Sequence, residues 1–308
     1  MRAADLGVSL PVLPVDRSYD PVYGQAVEIV PGVRRVLARN PNPFTFHGTG
    51  TYIVGHGRVA VIDPGPLLDE HVDAIMRATA GETITHILVT HTHNDHSPAA
   101  APLRQLTGAS TYAFGRHGSG RDHHDTDVEE GGDQDFVPDV FVKDGDRIEV
   151  DGLVLEAIHT PGHTSNHLCF SLEKPSILFS GDHVMGWSTT VIAPPDGDMA
   201  SYFSSLERLL ARREELYVPT HGNPIRKPQD FVRQLIAHRH AREAQIVACV
   251  GRGLITIPDM VRVIYSEVDS RLHPAASRSV LAHLQHLVRT GRLKASGEAT
   301  AGATYAVA

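Results

Sequence analysis

Apolar residues in this chain cluster in short runs that end on glycine, proline, aspartate or histidine, and their spacing predicts the elements. Thr49–Gly55 and Arg58–Gly65 are two β-branched runs separated by glycine, a pattern that predicts paired strands with Asp63 at the end of the second. From Leu67 to Thr79 apolar positions recur at helical spacing, and Thr83–Thr90 is again a short buried strand. Pro98 opens an Ala- and Leu-rich helix reaching Leu106, as proline in a first helical turn does. Further strands are predicted at Val140–Val142, Arg147–Val150, Leu153–His159, His167–Leu172, Ser176–Ser180 and Leu216–Pro219. Strands outnumber helices and the helices are interspersed, so the expected class is α/β, two sheets with helices outside.

The pattern changes beyond Pro219. Pro228–Val250 reads as one long helix with Phe231, Leu235, Ile236 and Ile246 apolar, followed by a short helix opened by Thr256–Val261. A longer helix, Ala275–Thr290, carries Val280, Leu281, Leu284, Leu287 and Val288 on one side, and the small, polar tail after Gly291–Lys294 is expected to fold back as a wing.

The length of 308 residues suits one large α/β domain plus an appendage, expected as 1–237 and 238–308. Charge divides along the same line: residues 1–237 carry 19 basic against 31 acidic side chains, whereas residues 238–308 carry 9 against 5. An acid-rich stretch, Arg121 to Asp139, reads as a solvated loop inserted in the first part. Two cysteines far apart, Cys169 and Cys249, give neither a disulfide framework nor a thiolate metal site, so a reducing compartment is expected. Asp5, Pro11, Pro14 and Asp16 interrupt the N-terminal stretch, and no 18-residue apolar run occurs, so the expected location is cytoplasmic with no membrane partner.

Histidine is over-used, with 20 residues against 8 Tyr, 9 Phe and 1 Trp, which directs attention to metal chemistry. Directly after the strand ending at Thr90 stands His91-Thr92-His93-Asn94-Asp95-His96, three imidazoles and a carboxylate in one turn. Such a turn aims His91 and His93 at one cation and Asp95 and His96 at another, and mixed N/O ligation suits Zn²⁺. Three more donors sit at strand ends beside turn-forming residues: His163 after Pro161-Gly162, Asp182 after Ser180-Gly181, and His221 before Gly222.

Taken in order, Asp63, the His91–His96 cluster, His163, Asp182 and His221 resemble the five motifs of the metallo-β-lactamase superfamily, the αββα metallohydrolases, over roughly residues 25 to 235. The resemblance implies two Zn²⁺ per chain. His91, His93 and His163 would bind one, Asp95, His96 and His221 the other, and Asp182 both, with Asp63 orienting a ligand histidine. It also implies hydrolysis by a hydroxide shared between the two cations, with Asp95 as the catalytic proton shuttle. Asp182 stands where antibiotic-degrading members typically have cysteine, and His93 where the di-iron oxygen-reducing branch has glutamate, so neither activity is expected.

The three C-terminal helices and hairpin resemble the small winged-helix domain of the β-lactamase-like endoribonuclease branch. That resemblance implies phosphodiesters of single-stranded RNA as substrate, for which Arg278, Arg289, Arg292 and Lys294, on or just after the longer helix, are the natural contacts; a packing or homodimerisation module is the other reading of the appendage. Hydrolysis of a small ester, thioester or lactone, with the winged helix purely structural, is the alternative. It is favoured by the scarcity of stacking aromatics, since only Tyr265 and Tyr305 follow Phe231. His167, His183, Ser165, Asn166, Trp187, Thr189 and Thr190 lie close to ligands in sequence and are candidates for substrate or supporting contacts.

Overall fold

A computed structural model describes residues 3–18, 20–121 and 131–308; residues 122–130, most of the acidic stretch, lie outside the described residues. Seven strands form the first sheet in chain order: β1 (Ala26–Val30), β2 (Val33–Leu37), β3 (Gly50–Val54), β4 (Arg58–Ile62), β5 (Thr83–Leu88), β6 (Ser110–Ala113) and β7 (Val140–Phe141). Pairing is antiparallel from β1 to β4 and parallel from β4 to β7. The second sheet runs β12-β11-β10-β9-β8, from β8 (Arg147–Val150), β9 (Leu153–His159), β10 (Leu168–Leu172), β11 (Ile177–Gly181) and β12 (Leu216–Pro219). Only β11 and β12 pair in parallel there.

The central strands are apolar on both sides because both of their faces are covered. Tyr52, Val54, Ile62 and Leu88 of the first sheet meet Leu155, Leu168, Phe170 and Val218 of the second in the middle layer. The outer face of the first sheet, with Ile53, Val61 and Ile87, packs against α1 (Asp69–Ala78) and α2 (Ala100–Thr107) through Ala74, Ile75 and Leu103. Ile158, Leu178 and Tyr217 on the far face of the second sheet pack against Tyr202, Leu206 and Leu209 of α3 (Met199–Leu210) and Phe231, Val232 and Leu235 of α4 (Pro228–Gly251). The result is an αββα sandwich.

Pro228 starts α4 at its first turn, and the helix then runs for 24 residues without interruption past residue 237. Its far end enters a second core. There Ile246, Cys249 and Val250 pack with Met260 and Val261 of α5 (Ile257–Ile264), with Val280, Leu284 and Leu287 of α6 (His273–Arg289), and with a hairpin of β13 (Leu293–Ala295) and β14 (Tyr305–Val307). Thr256 caps α5 by accepting the Asp259 amide. No helix among the described residues is long and apolar enough to cross a membrane.

The expected strands and helices are present within a few residues of their predicted ends, and the strands β1, β2 and β6 and the α-helix α3 join them. The sequence signal for β2 is broken by Arg34 and Arg35, the second of which is buried and donates to the Gly222 carbonyl. That for α3 is diluted by its serines and aromatics, residues of middling helix propensity that are set there by an Asp198 cap on the Ser201 amide and by burial of Tyr202 and Phe203.

Candidate metal centre

Five chain segments deliver polar side chains to one edge of the sandwich, each where a strand stops: Asp63 after β4, His91 after β5, His163 after β9, Asp182 after β11 and His221 after β12. The backbone needed at two of these points is special. Gly181 has φ +51°, and a Cβ there would come within 2.6 Å of His167 Nε2; Gly162 has φ +142°, and its Cβ would fall 2.4 Å from the Tyr202 main chain.

The donor atoms form three overlapping groups, His91/His93/His163, His91/His96/Asp182 and Asp95/His96/His221, the atoms of each lying within 4.8 Å of one another. His93 Nδ1 is 2.9 Å from His91 Nε2 and 3.1 Å from His163 Nε2. On the other side His221 Nε2 is 3.1 Å from Asp95 Oδ2, and His96 Nε2 is 3.4 Å from the same oxygen. Asp182 stands between the two sets, 3.4 Å from His221, 3.6 Å from His96 and 3.8 Å from His163. All seven predicted ligands are therefore together.

Three of the rings are aimed from behind. His163 Nδ1 donates to the Val191 carbonyl at 2.6 Å and His221 Nδ1 to the Gly48 carbonyl at 3.0 Å, which leaves their Nε2 atoms facing inward. His96 Nδ1 donates to Asp63 Oδ2 at 2.9 Å. Asp63 also accepts from the Thr90 amide and hydroxyl, both at 2.8 Å, and from the Thr220 hydroxyl at 2.9 Å, tying the ends of β4, β5 and β12 together. Thr220, Gly48 and Val191 were not singled out in the sequence. Two of them act through main-chain carbonyls, which residue identity does not reveal; Thr220 was signalled only by its place beside His221.

Protonation follows from burial and neighbours. Burial, with mutual repulsion among the rings, holds His91 well below the ordinary histidine value and brings His93 down to about 3. Burial raises Asp95 and Asp182, but the adjacent His96 and His221 more than reverse this and keep both carboxyls well below the usual range. Conversely, burial opposes charge on His221 and His96, yet the carboxylates lift the first to about 10 and the second well above its ordinary value. Neutral imidazoles and ionised carboxylates are the ligating forms, and the positive charge those carboxylates attract is the charge a cation brings. His96 Nε2 and Asp182 Oδ1 are both buried and make no hydrogen bond. Two buried lone-pair atoms facing each other without a hydrogen bond fit ligands of a shared cation, and the nitrogen-rich donor set fits a divalent transition metal.

The neighbouring candidates brace the centre. His167 is buried, accepts from the Asp182 amide at 3.2 Å and contacts Thr160 at 2.9 Å. His183 is buried against the ring of Tyr202, and burial lowers it to about 3. Ser165 donates to Asp196, and the Asn166 amide donates to Thr92 and to the Arg116 carbonyl. Trp187 stacks on Phe46 with ring centres 4.7 Å apart, while the Thr190 hydroxyl donates to the Asp182 carbonyl. Thr189 is half-buried beside it. Of the proposed nucleic-acid contacts, Arg289 is bonded to Asp198 and Arg292 to Glu243 at 3.0 Å, whereas Lys294 is exposed.

Residues 45–221 match the family described as the metallo-beta-lactamase superfamily, and residues 256–301 match the beta-lactamase associated winged helix domain. Among curated relatives, the beta-lactamase-like protein 2 homolog of Drosophila melanogaster is 31% identical over 282 residues, covering 87% of this chain and 91% of the relative. An atrochrysone carboxyl ACP thioesterase of Claviceps purpurea is 31% identical over 249 residues, covering 78% of this chain and 74% of the relative. The crystal structure of a beta-lactamase domain protein from Burkholderia ambifaria shares the fold with a TM-score of 0.76 at 22% identity, covering 95% of this chain and 96% of that one. With its histidine and aspartate donors gathered at the edge of an αββα sandwich, this chain belongs to the metallo-beta-lactamase superfamily of hydrolases and carries the winged-helix domain associated with it.

Proposed function

We propose that this protein is a dinuclear zinc hydrolase acting on a small acyl ester or thioester, with His91, His93 and His163 holding one ion, Asp95, His96 and His221 the other, and Asp182 touching both. The observation that carries the reading is the position of Asp182, whose two oxygens lie within 3.4 to 3.8 Å of histidines from both sets. Bound there, the ions would supply Lewis acidity and a water acidified to a pKa of about 7. The chain supplies the rest. Asp95 has the most exposed carboxylate of the centre, at 26%, and accepts from the Thr49 hydroxyl at 3.3 Å, so it takes up a proton and passes it to the leaving group. The rings of His96, His163 and His221 are fixed by carbonyl and carboxylate acceptors, so little reorganisation of them accompanies turnover.

Two observations favour the acyl substrate over single-stranded RNA. Arg289 and Arg292, expected as phosphate contacts, are engaged with Asp198 and Glu243. The thioesterase relative is similar over most of both chains. The test is a panel of acyl-CoA thioesters, aryl esters, lactones, a phosphodiester chromogen and a labelled RNA oligonucleotide, each run across a salt series. Acyl substrates should turn over with little salt dependence. Cleavage of the oligonucleotide alone, falling by roughly 0.7 log unit per log unit of salt for each phosphate contact, would overturn the acyl reading in favour of an endoribonuclease.

A further inference from the structure

Arg239 on α4 is buried, with only 4% of its surface exposed, and among the described residues it forms no ion pair with a carboxylate. A buried cation without an anion is costly unless its hydrogen bonds do specific work. Its guanidinium donates to the Thr190 carbonyl and lies over the Tyr202 ring at 5.3 Å. Thr190 in turn donates its hydroxyl to the Asp182 carbonyl at 2.7 Å, with the His183 carbonyl 3.1 Å away. The next residue, Val191, offers the carbonyl that orients His163, and the Tyr202 hydroxyl donates to the His183 carbonyl at 2.9 Å. One guanidinium therefore anchors the two-residue segment that fixes a ring on one side of the centre and the main chain of the carboxylate shared by both sides.

We propose that Arg239 is a positioning residue for the metal centre, through which the helix leading into the winged helix sets the ring of His163 and the backbone of Asp182. The inference rests on the two-metal reading. It explains why α4 carries a charged side chain on the face it packs against the sandwich, and it gives the appended domain a route to the site that needs no substrate contact.

The test is a Co²⁺ titration of metal-free full-length protein, followed by affinity and by the visible spectrum of the bound ion, with thermal melts alongside. Arg239→Met should weaken uptake by about 10-fold, the lower end of the range for groups bonded directly to a ligand because Arg239 acts through Thr190 and Val191, and should change the spectrum. Arg239→Lys should recover part of the loss. Thr190→Val, which keeps the carbonyl and removes the hydroxyl, should act in the same direction, and the two changes combined should cost less than their sum. Arg233→Met, an exposed change on the same helix, should leave affinity and spectrum alone. Wild-type affinity and spectrum in a folded Arg239→Met protein would overturn the proposal. If that variant does not fold, wild-type behaviour of Thr190→Val overturns it equally. A wild-type chain that fails to take up two Co²⁺ ions would refute the two-metal reading itself, and this inference with it.

Discussion

Asp63 shows how much of the centre is set by one buried side chain outside the ligand set. It sits at φ +50°, a conformation that aspartate tolerates better than most residues, and its two oxygens accept from Thr90, Thr220 and His96. The last of these bonds selects the tautomer that turns His96 Nε2 toward the ligand set. Asp182 is the complementary case, a carboxylate that faces both histidine groups and has one buried oxygen without a hydrogen bond. Asp182→Ala should therefore lower kcat/KM by more than the roughly 100-fold upper range seen for outer partners, with near-native circular dichroism. His183→Phe, changing a buried ring that makes no hydrogen bond from its nitrogens, should leave far more activity. Wild-type turnover in Asp182→Ala would remove the shared-ligand role.

At the scale of elements, the strands whose ends carry ligands were legible because each couples an apolar run to a turn residue and then to a histidine or aspartate, as in Ile177–Gly181 followed by Asp182. The His91–His96 turn was legible from residue types alone. What stayed hidden was support supplied at a distance: the Val191 and Gly48 carbonyls, and Arg239, whose acceptor Thr190 lies 49 residues away in sequence. The role of Glu243 on α4 was hidden for the same reason. Its carboxylate, 1% exposed, faces His286 at 2.6 Å, Arg292 at 3.0 Å, His283 at 3.6 Å and His240 at 3.7 Å, joining α4 to α6 and the start of the hairpin. Burial raises its pKa, but the adjacent rings of His283 and His286, the second hydrogen-bonded to it, more than offset this, leaving it below the ordinary 4.5. A carboxyl lowered by folding stabilises the fold above its unfolded value and loses that contribution as pH falls through the folded one. Glu243→Gln should accordingly cost about 1–3 kcal/mol at pH 7, and the gap between variant and wild type should close as pH drops below about 4.5 in denaturant titrations. A gap that stays constant down to pH 3 would show that the ionised carboxylate is not what joins the helices.

Across the whole molecule, the two cores are held to each other by more than α4. Leu6 packs in the second core, the Val8 carbonyl accepts from Gln245 at 3.0 Å, and Leu13 and Val15 lie against the sandwich. The same segment then reaches the edge of the metal centre, where the Asp16 amide donates to Gly186 at 3.1 Å, Asp16 accepts from Asn223 and Arg17 donates to the Trp187 carbonyl. Together with Arg239 and the surface Arg289–Asp198 pair, these contacts tie the winged helix to the sandwich beside the site, in keeping with the proposed acyl substrate. The proposed chemistry depends on a dinuclear centre. Elemental mass spectrometry of the full-length protein, reconstituted with zinc and freed of excess, measures it directly: two zinc ions per chain are expected, falling toward one in Asp182→Ala, whereas a wild-type protein that retains at most one would contradict it.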